Sequence, residues 1–114
     1  MTPAGSLSFA WLVLFAAGIL EIIWAVSMKA SDGFTKLHWA AITLAAAFLS
    51  FWLLGLSLKT LPVGTAYAVW TGIGAVGAAV LGIMLFSEPV NATRIGCILL
   101  IVTGILGLRF TSGH

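Results

Sequence analysis

Apolar residues run along this chain in four long blocks: about Leu7–Met28, Leu37–Leu58, Val63–Phe86 and Thr93–Leu108. None alternates apolar and polar positions over about ten residues, the pattern of a membrane β-strand, so helices are predicted. A helix needs about 20 residues to cross a hydrocarbon core of about 30 Å. The first three blocks meet that length, and Arg94 and Arg109 can snorkel from the ends of the fourth, extending it to about residue 110. The breaks read as turns: Ala30-Ser31-Asp32-Gly33, then Lys59-Thr60-Leu61-Pro62-Val63-Gly64, then Ser87-Glu88-Pro89 before Asn91. Links this short make consecutive helices antiparallel, and residues 1–114 read as one membrane domain with no room for a second.

Composition sharpens the picture. The chain is 61% hydrophobic and 7% charged, against roughly 25% charged in a soluble domain. Eight charged side chains cannot solvate a water-facing surface, whereas lipid accepts apolar side chains without penalty. The five cations are scattered, so no basic run is offered to nucleic acid. No Lys or Arg precedes the first block, and that block is long and contains a carboxylate, so a retained span is expected rather than a cleaved leader.

Seven of the eight charges lie at or near the breaks: Lys29, Asp32, Lys36, Lys59, Glu88, Arg94 and Arg109. Four spans put Lys59 and Arg109 on one side and Lys29, Lys36 and Arg94 on the other. Two cations against three is almost no bias for the rule that sets orientation. Fixed insertion with weak determinants and insertion in both orientations remain equally open on charge alone.

The eighth charge is Glu21, inside the first block and roughly 5 Å from its centre at about 1.5 Å per residue. An ionised group there costs about 3 kcal/mol on insertion scales. No Lys or Arg lies at matching depth, so no salt bridge within the chain can neutralise it. Two states are open: the neutral acid, and the anion accompanied by a cation from outside. Proton and cation then exclude one another, which is the basis of proton/cation antiport. A protonated glutamate that only bonds a neighbouring helix is the plainer alternative.

Ala17, Gly18, Trp24 and Ala25 stack near Glu21 at helical spacing. The small residues admit a close neighbour, and the Trp24 indole N–H can orient the carboxylate. In the third block Tyr67 and Trp70 share a face and can attract a cation through their rings. Ser50 is the well-placed hydroxyl of the second block, although membrane serines often bond back to their own helix. Phe51 and Trp52 suit a lipid-facing position equally well. Gly72-Ile73-Gly74-Ala75-Val76-Gly77 spells a dinucleotide fingerprint but lies inside an apolar helix, so that reading is rejected. Gly72 and Gly74 are a candidate helix bend instead.

Cys97 lies in an apolar run and is expected to be a small buried hydrophobe. His38 and His114 are expected at the interface or in water, and no metal site is expected. Four helices without an internal duplication cannot enclose a polar cavity, so a second copy is expected, with Gly96, Gly104 and Gly107 as a packing face.

With these residues in hand the chain resembles the small multidrug resistance family over essentially its whole length. The matching pieces are Gly18-x-x-Glu21, Lys29 with Ser31-x-Gly33-Phe34-Thr35, Ser50-Phe51-Trp52, and Pro62-x-Gly64-x-Ala66-Tyr67-Ala68-x-Trp70-x-Gly72-x-Gly74. Trp24-Ala25 and Trp70-Thr71-Gly72-Ile73-Gly74-Ala75 look like the guanidinium-exporter branch, because the polyaromatic-drug branch has a small residue at the position of Trp24. Cys97 departs from the pattern, replacing a small glycine. The resemblance implies an all-α, antiparallel, dual-topology homodimer in the bacterial cytoplasmic membrane, which exchanges protons for guanidinium. It further implies that Glu21 binds proton and substrate in turn, and that Gly18, Trp24, Ser50, Tyr67 and Trp70 line or order the site. No enzymatic activity and no cofactor beyond the coupling protons are expected. Export of quaternary ammonium or hydrophobic cations, and a non-transporting membrane subunit, are the alternatives.

Overall fold

Without water to receive them, backbone N–H and C=O groups in a bilayer must bond within their own segment, and an apolar segment becomes a helix. The computed structural model describes residues 4–112, with side chains from residue 7 to 111, so His114 lies outside the described residues. It has four helices: α1 (Ala4–Ala30), α2 (Leu37–Ser57), α3 (Val63–Phe86) and α4 (Ala92–Ser112). Each contains a stretch of 20 to 24 residues long and apolar enough to cross a membrane.

Polar side chains near the helix ends supply the bonds that the helix backbone cannot. Ser31 is fully buried in the first link; its hydroxyl donates to the Met28 carbonyl at 2.7 Å and accepts the Phe34 N–H at 3.0 Å. Asp32, Gly33 and Phe34 all take left-handed backbone angles, of which only the glycine does so without strain. Pro62 precedes α3, where its missing N–H is no loss. Asn91 caps α4, its side-chain oxygen accepting the Arg94 N–H at 2.8 Å. Ser87 ends α3 in a left-handed conformation. Beside it the Arg94 Nη2 donates to Glu88 Oε1 at 2.7 Å, tying the start of α4 to the end of α3.

The helices pack in the order α2, α1, α3, α4, with α1 pressed against both α2 and α3, and α4 against α3. The Cα framework measures 46 × 35 × 18 Å, a slab less than two helix diameters thick. Its core joins the first half of α1 to the first half of α3 and the link before it: Ala10, Trp11, Leu14 and Ala17 cluster with Leu61, Ala66, Val69 and Trp70. Arg109 lies over the Trp11 ring, 4.8 Å from its centroid, and fastens the end of α4 to the same side. The large side chains of the other faces point outward: Phe48 is 81% exposed and Leu100 is 74% exposed. In a bilayer these are lipid contacts.

Cys97 corrects the expectation of a buried hydrophobe, since it is exposed on the open side of α4. The cause is the slab: only α3 packs along α4, so most of its circumference faces outward. Gly96, Gly104 and Gly107 likewise have open space where a side chain would stand.

Glycine between α1 and α3 has the opposite surroundings. A methyl group on Gly77 would collide with Ile22. Gly77→Leu is therefore expected to lower stability by about 1–3 kcal/mol through overpacking, while Gly55→Ala, with open space around it, loses nothing. Thermal unfolding of the two purified variants in detergent checks the contrast.

Candidate functional site

Glu21 stands in α1 on the face that meets α3. Its carboxyl group rests against Gly74, close enough that a methyl group at Gly74 would overlap Cγ, Cδ and Oε1. Oε1 is buried and has no hydrogen-bond partner. The contrast with Glu88, held by Arg94 outside the apolar layer, is plain: the intramembrane acid has no cation beside it among the described residues.

Three residues along, Trp24 projects toward α2 and meets the Phe51 ring, 6.1 Å between centroids and edge-on. Its indole N–H is buried and unpaired, so it makes no bond to the carboxylate within the chain. Phe51 also meets Trp70 at 5.7 Å, and Trp70 meets Tyr67 at 5.5 Å. Trp24, Phe51, Trp70 and Tyr67 thus form one aromatic row across α1, α2 and α3. Tyr67, at 57% exposed, is its open end. Trp52 is 61% exposed and lies outside the row.

Ser50 is the polar pin of this junction. It is fully buried, and it donates to the Ala17 carbonyl of α1 at 2.7 Å rather than to its own helix. It accepts the Trp70 Nε1–H at 2.9 Å. Ala17 lies one turn before Glu21, so the bond fixes α2 against α1 beside the acid and orients the Trp70 ring. Gly18 permits the same close packing from α3, since a methyl group there would meet Ile73 Cγ2 at 2.7 Å.

Of the residues expected at the site, Ser50 and Trp70 are joined by a hydrogen bond, Trp24 and Tyr67 share the aromatic row, and Gly18 lies beneath. Glu21 faces α3 instead of Ser50. Gly72 and Gly74, expected as a bend, lie within α3, an α-helix from Val63 to Phe86, each at a close contact: Gly72 with Ile105 of α4, Gly74 with Glu21. Phe51 is the member that sequence reasoning left undecided. Its only signal was its place beside Ser50, which cannot say that its ring links Trp24 to Trp70. A separate cavity of about 120 Å³ lies nearer the first and third links, lined by Ala25, Val26, Lys29, Ala78, Gly82, Phe86 and Glu88.

Four spanning helices with an unpaired acid enclosed in the apolar layer define a multi-pass helical membrane protein with a polar group between its helices. The family model described as "Small Multidrug Resistance protein" matches residues 9–101, and the chain belongs to the small multidrug resistance family. It is 50% identical over 102 residues to the guanidinium exporter of Proteus vulgaris, covering 90% of this chain and 98% of that one. It is 51% identical over 102 residues to the guanidinium exporters of Escherichia coli (strain K12) and Salmonella typhimurium, covering 90% of this chain and 97% of each. It is accordingly a multi-pass protein of the bacterial inner membrane.

Replacing Ser50 by Ala removes the bond to Ala17 and strands the buried Trp70 N–H. A loss of about 1–3 kcal/mol is expected, read as a lower unfolding temperature together with a red-shifted tryptophan emission.

Proposed function

We propose that this protein is a proton-coupled antiporter that exports guanidinium by alternating access, with Glu21 binding proton and cation in turn. The observation that carries the reading is the buried, unpaired Glu21 Oε1 in an apolar layer. Buried polar atoms are nearly always paired, and the exceptions mark function or a missing partner. A proton satisfies this acid in one state and a cation in the other. Guanidinium suits it, being planar, permanently charged and able to bond a carboxylate through two parallel N–H groups. That the relatives with about half of their residues identical are guanidinium exporters supports the same substrate here.

The working unit is an antiparallel homodimer in which the two copies insert in opposite orientations. A slab 18 Å thick cannot surround a polar path, and α4 leaves most of its surface open. Two inverted copies recreate the inverted repeat around which transporters rock. The near balance of cations on the two sides permits both orientations. The Trp24 N–H, unpaired within one chain, is available to the joint site. No covalent chemistry and no cofactor are required.

The aromatic row favours one further class of substrate, hydrophobic or quaternary ammonium cations, which rings attract without hydrogen bonds. Purified protein in vesicles separates the readings. Addition of guanidinium is expected to release protons from the wild type and none from Glu21→Gln; undiminished flux in that variant rejects the mechanism. Absent flux in both, with Glu21→Gln less stable, indicates a packing role. Ser50→Ala is expected to reduce guanidinium transport more than tetramethylammonium transport, because it loosens the α1–α2–α3 junction one turn from Glu21 and only guanidinium is held by directional hydrogen bonds. The reverse order points to the wider class of cations.

A further inference from the structure

Several glycines of α1 and α3 lie against side chains from neighbouring helices, most of them apolar. Gly18 faces Ile73, Gly72 faces Ile105 and Gly77 faces Ile22. These are packing contacts. At two glycines of α3 the filling group is a carboxyl: Gly82 meets Glu88, which Arg94 already holds in an ion pair, whereas Gly74 meets the unpaired Glu21 carboxyl.

Backbone freedom does not account for this glycine. Among the described residues, Gly33 is the glycine with a positive φ. Gly74 lies within α3, a helix that runs unbroken from Val63 to Phe86, where alanine would be the better helix former. What excludes a side chain at this position is space, and the space is taken by an ionisable group.

We propose that Gly74 is a positioning residue for Glu21: the bare backbone of α3 sets how deeply the carboxyl seats, and so the rotamer from which it takes up proton or cation. The inference rests on the reading of Glu21 as the shared proton and cation site. On this view the two residues are complementary in size. A methyl group added at Gly74 pushes the carboxyl outward, and removing one methylene at Glu21 restores the fit.

The test is a two-by-two comparison of guanidinium-driven proton release in vesicles: wild type, Gly74→Ala, Glu21→Asp, and both together. Gly74→Ala is expected to slow release on the order of tenfold to a hundredfold, the scale of a misplacement of about 1 Å. In the Asp background the same substitution is expected to have little effect or to raise the rate. An equal penalty in both backgrounds, as a bend or simple packing would give, overturns the proposal, and so does a Gly74→Ala rate within twofold of wild type. Should Gly74→Ala fail to elute as folded protein, recovery of folding by adding Glu21→Asp supports the proposal and persistent misfolding overturns it. Flux retained in Glu21→Gln defeats the underlying reading, whereas an inactive Glu21→Gln beside an unaffected Gly74→Ala defeats this inference alone.

Discussion

An acid placed in hydrocarbon must be neutral or accompanied, and the arrangement around Glu21 follows from that constraint. The chain holds two buried or half-buried glutamates, and it treats them oppositely. Glu88, at the membrane edge, has the Arg94 guanidinium 2.7 Å away, and that ion pair fastens a link between helices. Glu21 has no such neighbour, and its Oε1 is enclosed without a bond. A permanent ion pair would have made Glu21 structural. Left unpaired, it makes the interior less stable.

Such an acid needs rigid surroundings that do not themselves satisfy it. Ser50 provides them by bonding away from the carboxyl, donating to the Ala17 carbonyl and accepting from Trp70. The two bonds lock α1, α2 and α3 together one turn from Glu21 while leaving its oxygens free. The aromatic row continues from Trp70 through Phe51 to Trp24. Aromatic ring faces are the kind of surface that attracts cations.

Glycine serves two purposes in the slab. Between α1 and α3 it is consumed in close packing, at Gly18, Gly74 and Gly77. On α4 the glycines meet nothing within the chain. Small residues on an uncovered spanning helix are the surface on which helices approach in lipid, where packing rather than hydrophobicity drives association. One half of the glycine pattern is thus used inside the chain, and the other half is left outside it.

Much was legible beforehand because lipid makes the rules local. Span length, the absence of alternation and the turn residues are properties of contiguous sequence, and they suffice for four helices and for an acid at membrane depth. The residues matching the family's motif, Glu21 and Ser50 among them, were legible for the same reason. Which way a side chain points was not, because the chain is apolar nearly all round each helix and hydrophobic periodicity carries no direction. Only packing decided that Glu21 lies on Gly74 rather than beside Ser50, that Ser50 bonds another helix, that Phe51 belongs to the aromatic row, and that Cys97 faces outward. Those outcomes depend on which helix lies beside which, and the order α2, α1, α3, α4 comes from shape complementarity between small and large residues, a property no single segment contains.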